Sequence, residues 1–521
     1  MGNRGRLAGA VVTAAVALAA CGTRLPNTAF VKAAQVAPGD NSTAPVAGQP
    51  TSAGATGGPN ETTAVGSSSS TASPVAATAT GGGGSSAGNP TAAASGGGGT
   101  GNGGTSSAGP NTASDIGVTA DSITIGNITG VSGPLGPDAF GPTLSGLRAW
   151  VGSVNARGGI NGRKIVLAFC DDGQDGAQNL ACTQQLVTHN KVFAFVDNNS
   201  LATSSSAHYE YQQGVPDLGL PLNNGYYKYP NMFTLYGNGD PRNGTQVGTN
   251  GLNYAPTASY RFYKQVLGIT HGAFFFYSQA ASQSAARSEE AGAQAEGIQI
   301  TYESGGHQGE QIGVANFDAD VLAMKNKNVD GVWDAVDVAA NQKICASMDR
   351  YGVKVKAKIS TIEAWSQDIG GGGWSAPCRN SIFVDGQSVP FQDTQVPAVA
   401  QFRHDFDTYS HGALLHQWAL DGYSAGMIFG DAIQAMGANV TRKGFISWMD
   451  GIVRGTYNDH GLLSAAQTSW QPQKHPGTYN DCYAHAQWQD TVGTFVTRSG
   501  PNEFSCYTTA EVVTPYTDDG S

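Results

Sequence analysis

Positive charge is scarce in this sequence. Its 521 residues include 28 lysines and arginines against 39 aspartates and glutamates, which gives a formal net charge of −11. No basic run follows Arg4 and Arg6 near the start of the chain. Because nucleic-acid binding relies on a basic patch that neutralises phosphates, this composition argues against nucleic acid as a partner.

Apolar runs long enough to span a bilayer are also lacking. The stretch Leu7–Ala20 follows two arginines, ends in small residues and is shorter than the roughly 20 residues that a membrane helix needs. It predicts a cleavable export signal over residues 1–21. The sequence Leu18-Ala19-Ala20-Cys21 resembles the lipobox of bacterial lipoproteins. This resemblance implies a lipid on Cys21, which would anchor the protein at the extracytoplasmic face of the cell membrane. Ordinary signal cleavage beside a chance cysteine is the alternative.

Metal-binding patterns are missing as well. The sequence has no Cys-x-x-Cys motif, and the nearest metal-like pair, Cys482-x-x-His485, is a weak signal. An even number of cysteines remains after Cys21, which favours disulfides in an exported protein. The sequence leaves every pairing open, and pairing of neighbours along the chain is the simplest prediction. The neighbouring pairs are Cys170 with Cys182, Cys345 with Cys378, and Cys482 with Cys506. No metal and no cofactor are predicted.

Residues 22–114 consist mainly of Gly, Ser, Thr, Ala, Pro and Asn, as in "TGGGGSSAG". Such a segment has too few apolar side chains to offset its ordering entropy, so it predicts a disordered tether. A flexible chain of this length has a root-mean-square span on the order of 50 Å. The body over residues 115–521 would therefore stand off from a membrane.

That body alternates strand-like and helix-like segments. "SITIGNI" and "RKIVLAF" predict strands, and the apolar spacing of "TLSGLRAWVGSVNA" between them predicts a helix. Further on, "GAFFFYS", "GIQITYE", "DGVWDAVD" and "AKISTIE" predict buried strands separated by helix-length segments. Repeated β–α–β alternation favours parallel sheets flanked by helices, and the length favours two α/β lobes.

Residues 123–172 carry a family resemblance. Ile123-x-Ile125-Gly126 is followed by Ser132-Gly133-Pro134, by Asn155-Ala-Arg-Gly-Gly-Ile-Asn-Gly-Arg163, and by Asp171-Asp172. This order resembles type I periplasmic binding proteins, the leucine/isoleucine/valine-binding family of ABC importers. The resemblance weakens after about residue 440, and the C-terminal 80 residues match poorly.

The resemblance implies a two-lobed fold, with a ligand cleft at the carboxyl ends of the strands and closure of the lobes over a small molecule. It implies lobe 1 at about residues 118–241 and 388–456, and lobe 2 at about 242–387 and 457–521. It also implies a membrane permease as partner, an amino acid or related amine as ligand, and no catalysis. A membrane signalling partner in place of a permease is an alternative that the sequence leaves open.

Candidate ligand-binding residues of the first lobe follow from this resemblance. Ser200 follows the strand "VFAFVD" and would open a helix, where a hydroxyl and free backbone N–H groups bind a ligand carboxylate. Pro221 and Asn223 lie at the next such position. Phe140 lies in the first loop, where an aromatic often covers the ligand. Ser200 could equally be only a helix N-cap, and Phe140 only a loop anchor.

The second lobe contributes four candidates. Tyr277 and Asp337 lie at the ends of predicted strands, and Glu363 and Trp365 follow "AKISTI". In amino-acid binders of this family an acid at the position of Glu363 pairs with the ligand ammonium. Since Asp337 is a second acid, a cationic or hydroxyl-rich ligand is also conceivable. Each of these residues could instead be a core or solvated residue.

One motif points elsewhere. "GYSAG" over residues 422–426 matches the G-x-S-x-G elbow of α/β-hydrolases, with Ser424 as nucleophile. An exported hydrolase of this class would need a serine, an acid and a histidine in that order along the chain. The acid could be Asp431, Asp450 or Asp459, and the histidine could be His460, His475 or His485. An elbow needs a strand-to-helix turn at the serine, whereas the surrounding apolar spacing predicts a helix. We therefore expect Ser424 to lie in a helix interior.

Overall fold

A computed structural model describes residues 110–515 except 221, 223, 237–241, 361, 454–456, 458, 465–476 and 501–502. The predicted signal, Cys21 and nearly all of the predicted tether lie outside the described residues. Within the described ranges, no helix has the length and apolar character needed to cross a membrane.

The first lobe is built on a parallel sheet. Its strands are β1 (Ser122–Ile128), β2 (Lys164–Cys170), β3 (Ala194–Val196), β4 (Asp217–Gly219) and β5 (Met232–Thr234), in the order β2-β1-β3-β4-β5. The connecting helices are α1 (Pro137–Ala156), α2 (Gly176–Thr188) and α3 (Ser204–Gln213). β3 is completely buried, as expected for a central strand covered on both faces.

The chain enters the second lobe after β5. The elements there are β6 (Leu252–Pro256), α4 (Ala258–Val266), β7 (His271–Phe276), α5 (Ala280–Ala295), β8 (Gln299–Glu303), α6 (Asp318–Lys325), β9 (Gly331–Ala335), α7 (Val338–Arg350), β10 (Ala357–Ser360), α8 (Ala376–Arg379) and β11 (Ile382–Gly386). Strands β7 to β11 pair in parallel. The predicted β–α–β alternation is confirmed in both lobes.

The chain then returns to the first lobe and crosses once more. It forms α9 (Pro397–Tyr409), α10 (Gln417–Met436) and α11 (Arg442–Val453), and then β12 (Thr478–Gln489), β13 (Thr494–Thr497) and β14 (Ser505–Pro515). The last three strands extend the second sheet by antiparallel pairing, in the order β6-β14-β12-β11-β10-β9-β7-β8, with β13 on β12. The two-lobed α/β fold class is confirmed, but the second sheet is mixed and not purely parallel. Short connections between β12, β13 and β14 permit antiparallel return, whereas parallel pairing needs a long crossover.

The disulfides follow the neighbour pairing. Cys170 at the end of β2 is bonded to Cys182 on α2, and Cys345 on α7 to Cys378 on α8. Cys482 and Cys506 face each other across β12 and β14 and are also bonded. The simplest prediction from the sequence is confirmed for all three.

The "GYSAG" stretch belongs to a close helix crossing. Helix α10 contains the whole stretch, and α1 packs against it. An ideal Cβ built on Gly422 would lie 2.1 Å from the Thr143 carbonyl oxygen, and one on Gly146 only 1.7 Å from the Ala419 carbonyl oxygen. No side chain fits at either position, so glycine allows the two helix backbones to approach. The motif therefore has a packing role in this fold.

Candidate functional site

A cavity of about 380 Å³ lies between the lobes. Its first-lobe wall comes from α1, from the loops after β3 and β4, and from the start of α10. Its second-lobe wall comes from the strand ends at Tyr277 and Asp337, from α5 and from the turn at Glu363. Most lining residues are apolar, and no lysine, arginine or histidine is among the described ones. The volume suits a small ligand.

An aromatic pair forms part of the first-lobe wall. Phe140 on α1 stacks on Trp418 at the start of α10, with ring centroids 5.7 Å apart, and both rings line the cavity. The close crossing of α1 and α10 brings these two rings together. Phe140 lies in the first turn of α1 and not in the predicted loop, because the helix already begins at Pro137. Its ring does line the cavity, and its role as a ligand-covering aromatic stays a prediction.

Trp365 lies elsewhere. Its side chain is fully buried, it donates from Nε1 to the Gln392 Oε1 atom at 3.2 Å, and it packs against Phe495. It is not among the residues that line the cavity. The short turn Ile362–Ala364 precedes Trp365 and directs its ring into the core. The tryptophan at the cavity is Trp418, which the sequence did not single out as a site residue.

Tyr277 and Asp337 form a hydrogen-bonded pair at the second-lobe wall. The Tyr277 hydroxyl donates to Asp337 Oδ1 at 2.9 Å. Asp337 is also the N-cap of α7, because the same oxygen accepts the Ala340 N–H at 2.8 Å. Burial, followed by the adjacent Asp337 carboxylate, raises the pKa of Tyr277, which keeps its hydroxyl a donor. One carboxylate oxygen is thereby fixed beside the cavity.

Glu363 is the second acid at this wall. No described residue donates a hydrogen bond to its carboxylate. Burial raises its pKa well above the usual range, and the negative charges of Asp337 and Asp334 add to the effect. Glu363 is half-buried at the cavity wall, and a partly desolvated carboxylate without a cationic partner favours its protonated form.

His416 fixes the backbone of Glu363. Its Nδ1 accepts the Trp418 N–H at 3.0 Å, so its Nε2 carries the proton and donates to the Glu363 carbonyl at 2.7 Å. Burial lowers the pKa of His416 to about 4, which keeps the ring neutral. Two backbone hydrogen bonds join the turn at Glu363 to the start of α10. The Gln367 N–H donates to the Leu415 carbonyl, and the Gln417 N–H donates to the Trp365 carbonyl. The second-lobe turn is thus tied to the beginning of α10 in the first lobe.

Ser200 does not line the cavity, although the next residue, Leu201, does. Ser200 is buried and its Oγ accepts the Ala202 N–H at 3.1 Å. Helix α3 begins only at Ser204, four residues beyond the position that the sequence suggested. Pro221 and Asn223 lie outside the described residues.

Helix α5 supplies lining residues that the sequence analysis missed. Ala281, Ser284, Ala285 and Ser288 recur at helical spacing and face the cavity. Gln279 caps the helix by accepting the Ser282 N–H at 3.0 Å. A run of small residues directly after the strand "GAFFFYS" could have indicated this part of the cavity, because small side chains at the start of a helix leave room for a ligand.

The hydrolase alternative lacks its required geometry. Ser424 is completely buried in the interior of α10, and its Oγ has no partner among the described residues. Of the candidate histidines, His460 pairs with Asp431, and His485 stacks on Phe262 in the second lobe. His475 lies outside the described residues. The serine is not on a strand-to-helix turn, so Ser424 does not form a nucleophile elbow.

Comparison with known proteins agrees with the fold. A family model described as "Periplasmic binding protein" matches residues 122–493. The chain belongs to this family. This membership confirms the resemblance to periplasmic binding proteins that the sequence carries. No curated protein sequence matches it significantly.

Solved structures resemble this periplasmic binding protein at low sequence identity. A fatty acid ABC transporter substrate-binding protein from Thermomonospora curvata has a TM-score of 0.57 at 15% identity, over 76% of this chain and 94% of that one. The branched-chain amino acid transporter protein LivJ from Streptococcus pneumoniae, in complex with isoleucine, has a TM-score of 0.56 at 15% identity, over 75% and 100%. An R. palustris solute-binding protein in complex with benzoate has a TM-score of 0.57 at 13% identity, over 77% and 100%. At this identity the likeness concerns the fold.

Proposed function

We propose that this periplasmic binding protein is the lipid-anchored receptor of an ABC importer and binds an amino acid or a related small amine between its lobes. The observation that carries the proposal is the pair of acids at the second-lobe wall. Asp337 and Glu363 both line the cavity, and no cationic side chain is among its described lining residues.

The acids favour a ligand with an ammonium group. A cation in the cavity would neutralise Glu363 and relieve its repulsion by Asp337, the neighbouring charge that adds to the raised pKa of Glu363. The apolar remainder of such a ligand would pack against Leu135, Phe140 and Trp418. Burial of that surface contributes about 25 cal/mol per Å² before the costs of association.

The structural neighbours named above include complexes with isoleucine and with benzoate, so this fold accommodates both an amine-bearing ligand and a simple carboxylate. A carboxylate alone would add a negative charge beside Asp337 and Glu363 without a lysine or arginine to receive it. We therefore favour the amine-bearing class. Backbone N–H groups near Leu201 would receive the carboxylate of an amino acid.

A thermal-shift screen tests the ligand class. Amino acids, amines, betaines, sugars and aromatic acids are compared on the purified protein, and we expect amine-bearing compounds to raise the melting temperature by mass action. Glu363→Gln should reduce that shift, whereas Asp407→Asn, which removes an exposed acid from the first lobe, should not. Stabilisation by aromatic or fatty acids alone would overturn the amine assignment. Labelling of Ser424 by a serine-reactive phosphonate, with no ligand shift at all, would overturn the receptor assignment.

The anchor and the partner need separate tests. Replacing Cys21 with serine should move the protein from the membrane fraction to the soluble fraction, and unchanged membrane association would contradict lipidation at this residue.

Uptake of the identified ligand should depend on the protein if its partner is a permease. Ligand-dependent signalling without uptake would indicate the sensor alternative.

A further inference from the structure

A second cavity lies inside the second lobe, next to the cavity between the lobes. It has a volume of about 220 Å³ and is enclosed by α4, α5 and the ends of β9, β10 and β11. Ser288 on α5 lines both cavities. Along β9, Asp334 faces the second cavity and the next residue, Ala335, lines the first. The two cavities are therefore neighbours that share a wall.

The second cavity is acidic. Glu289, Asp334 and Asp385 line it. The buried Lys358 ammonium pairs with Asp334 and donates also to Asn341 and to Ser360. This leaves two carboxylates without a cation from the described part of the chain.

The two remaining acids differ in their partners. Asp385 accepts a hydrogen bond from the Ser259 hydroxyl. The Oε2 atom of Glu289 is buried and accepts no hydrogen bond from any described residue. Burial raises the pKa of Glu289 well above the usual range, the charges of Asp334 and Asp385 add to the effect, and the Lys358 ammonium, which is paired with Asp334, opposes it in part. Glu289 thus presents an unsatisfied oxygen to a cavity whose described lining holds three acids and no basic side chain.

The acids of the two cavities are close enough to interact. Asp334 raises the pKa of Glu363 in the first cavity and also that of Glu289 in the second. Helix α5 runs past both, and the eight-residue step from Ala281 to Glu289 corresponds to about 12 Å along the helix axis. A single extended molecule can span such a distance.

We infer that the second cavity is a subsite for a second cationic nitrogen, so that the preferred ligand is a linear diamine or longer polyamine. One amine would contact Glu363 and Asp337, the alkyl chain would pass Ser288, and the other amine would contact Glu289 and Asp385. An anion would be repelled by this subsite, and an apolar group would leave Glu289 unsatisfied. This inference rests on the proposed function and specifies its ligand class.

The test compares a homologous series of linear diamines with monoamines of matched chain length, by calorimetric titration. We expect an optimal chain length at which the diamine binds on the order of tenfold or more tightly than the monoamine, because a second buried charge pair forms. Glu289→Gln should bring the ratio of the two dissociation constants close to one. Ser288→Leu, which places a larger side chain at the boundary between the two cavities, should do the same, and Asp407→Asn should leave the ratio unchanged.

The outcomes separate this inference from the proposed function. If monoamines bind and depend on Glu363, but diamines have no advantage, the second cavity holds only water and the subsite is refuted while the receptor function stands. If no amine binds, the proposed ligand class fails and the subsite fails with it. Circular dichroism of both second-lobe variants establishes that they are folded.

Discussion

Replacing Gly146 with alanine tests the helix crossing that builds the first-lobe wall. The new Cβ would lie 1.7 Å from the Ala419 carbonyl oxygen, far inside van der Waals contact. Because that oxygen belongs to the backbone of α10, no side-chain rotation relieves the overlap. The two helices must move apart, and Phe140 and Trp418 would move with them.

The expected change in the free energy of unfolding is the difference between two opposing effects. Alanine in a helix interior is favoured over glycine by about 1 kcal/mol. Overpacking of a close-packed contact costs about 1–3 kcal/mol and occasionally more, and contact with a backbone atom belongs at the upper end. We expect Gly146→Ala to lower the free energy of unfolding by about 2 kcal/mol or more.

Urea unfolding followed by tryptophan fluorescence measures this change, and the chain offers a matched control. An ideal Cβ on Gly451 of α11 meets no atom within 4 Å, so Gly451→Ala should be neutral or stabilising by up to about 1 kcal/mol. If Gly146→Ala proved as stable as Gly451→Ala, the close approach of α1 and α10 would be refuted.

Three further predictions follow from individual groups. Ser424→Ala should change the free energy of unfolding by less than about 1 kcal/mol, because the buried Oγ has no described partner; a large loss of stability would reveal a missed hydrogen bond. Removing the disulfide between Cys345 and Cys378, which closes a separation of 33 residues, should lower stability by about 3–4 kcal/mol, and an unchanged urea midpoint would contradict this. The pKa of His416 is lowered to about 4, below the unfolded value of about 6.5. The unfolded chain therefore binds the proton first, and stability is lost as pH falls from about 6.5 towards 4. His416→Gln should flatten that part of the urea–pH profile, and an unaltered slope would mean that the ring is not buried neutral.

Local sequence patterns predicted much of the fold. The apolar spacing of Leu144, Leu147, Val151 and Val154 lies within α1, and "SITIGNI" is β1. The disulfides were predictable because each pair joins neighbouring elements. The antiparallel strands β12–β14 were not predicted, since their pairing depends on contacts between segments that resemble the family poorly.

Part of the cavity lining was predictable from residues that follow strand ends, although their contact with a ligand stays a prediction. Tyr277, Asp337 and Glu363 line the cavity as their positions suggested. The two tryptophans could not be assigned in this way. A short turn directs Trp365 into the core, whereas the crossing of α1 and α10 brings Trp418 to Phe140. Such an arrangement depends on tertiary packing that local sequence does not encode.

Recognition of an amine by Glu363 in the cavity between the lobes is the proposed contact on which the ligand class depends. The most direct measurement is calorimetric titration of the wild-type protein and Glu363→Gln with the most stabilising amine and with its neutral isostere. We expect the amine to bind the wild type, Glu363→Gln to weaken binding by about 30-fold or more through loss of a charge pair, and the isostere to bind neither protein well. Equal affinity of the two proteins for the amine, or equal binding of amine and isostere, would contradict it.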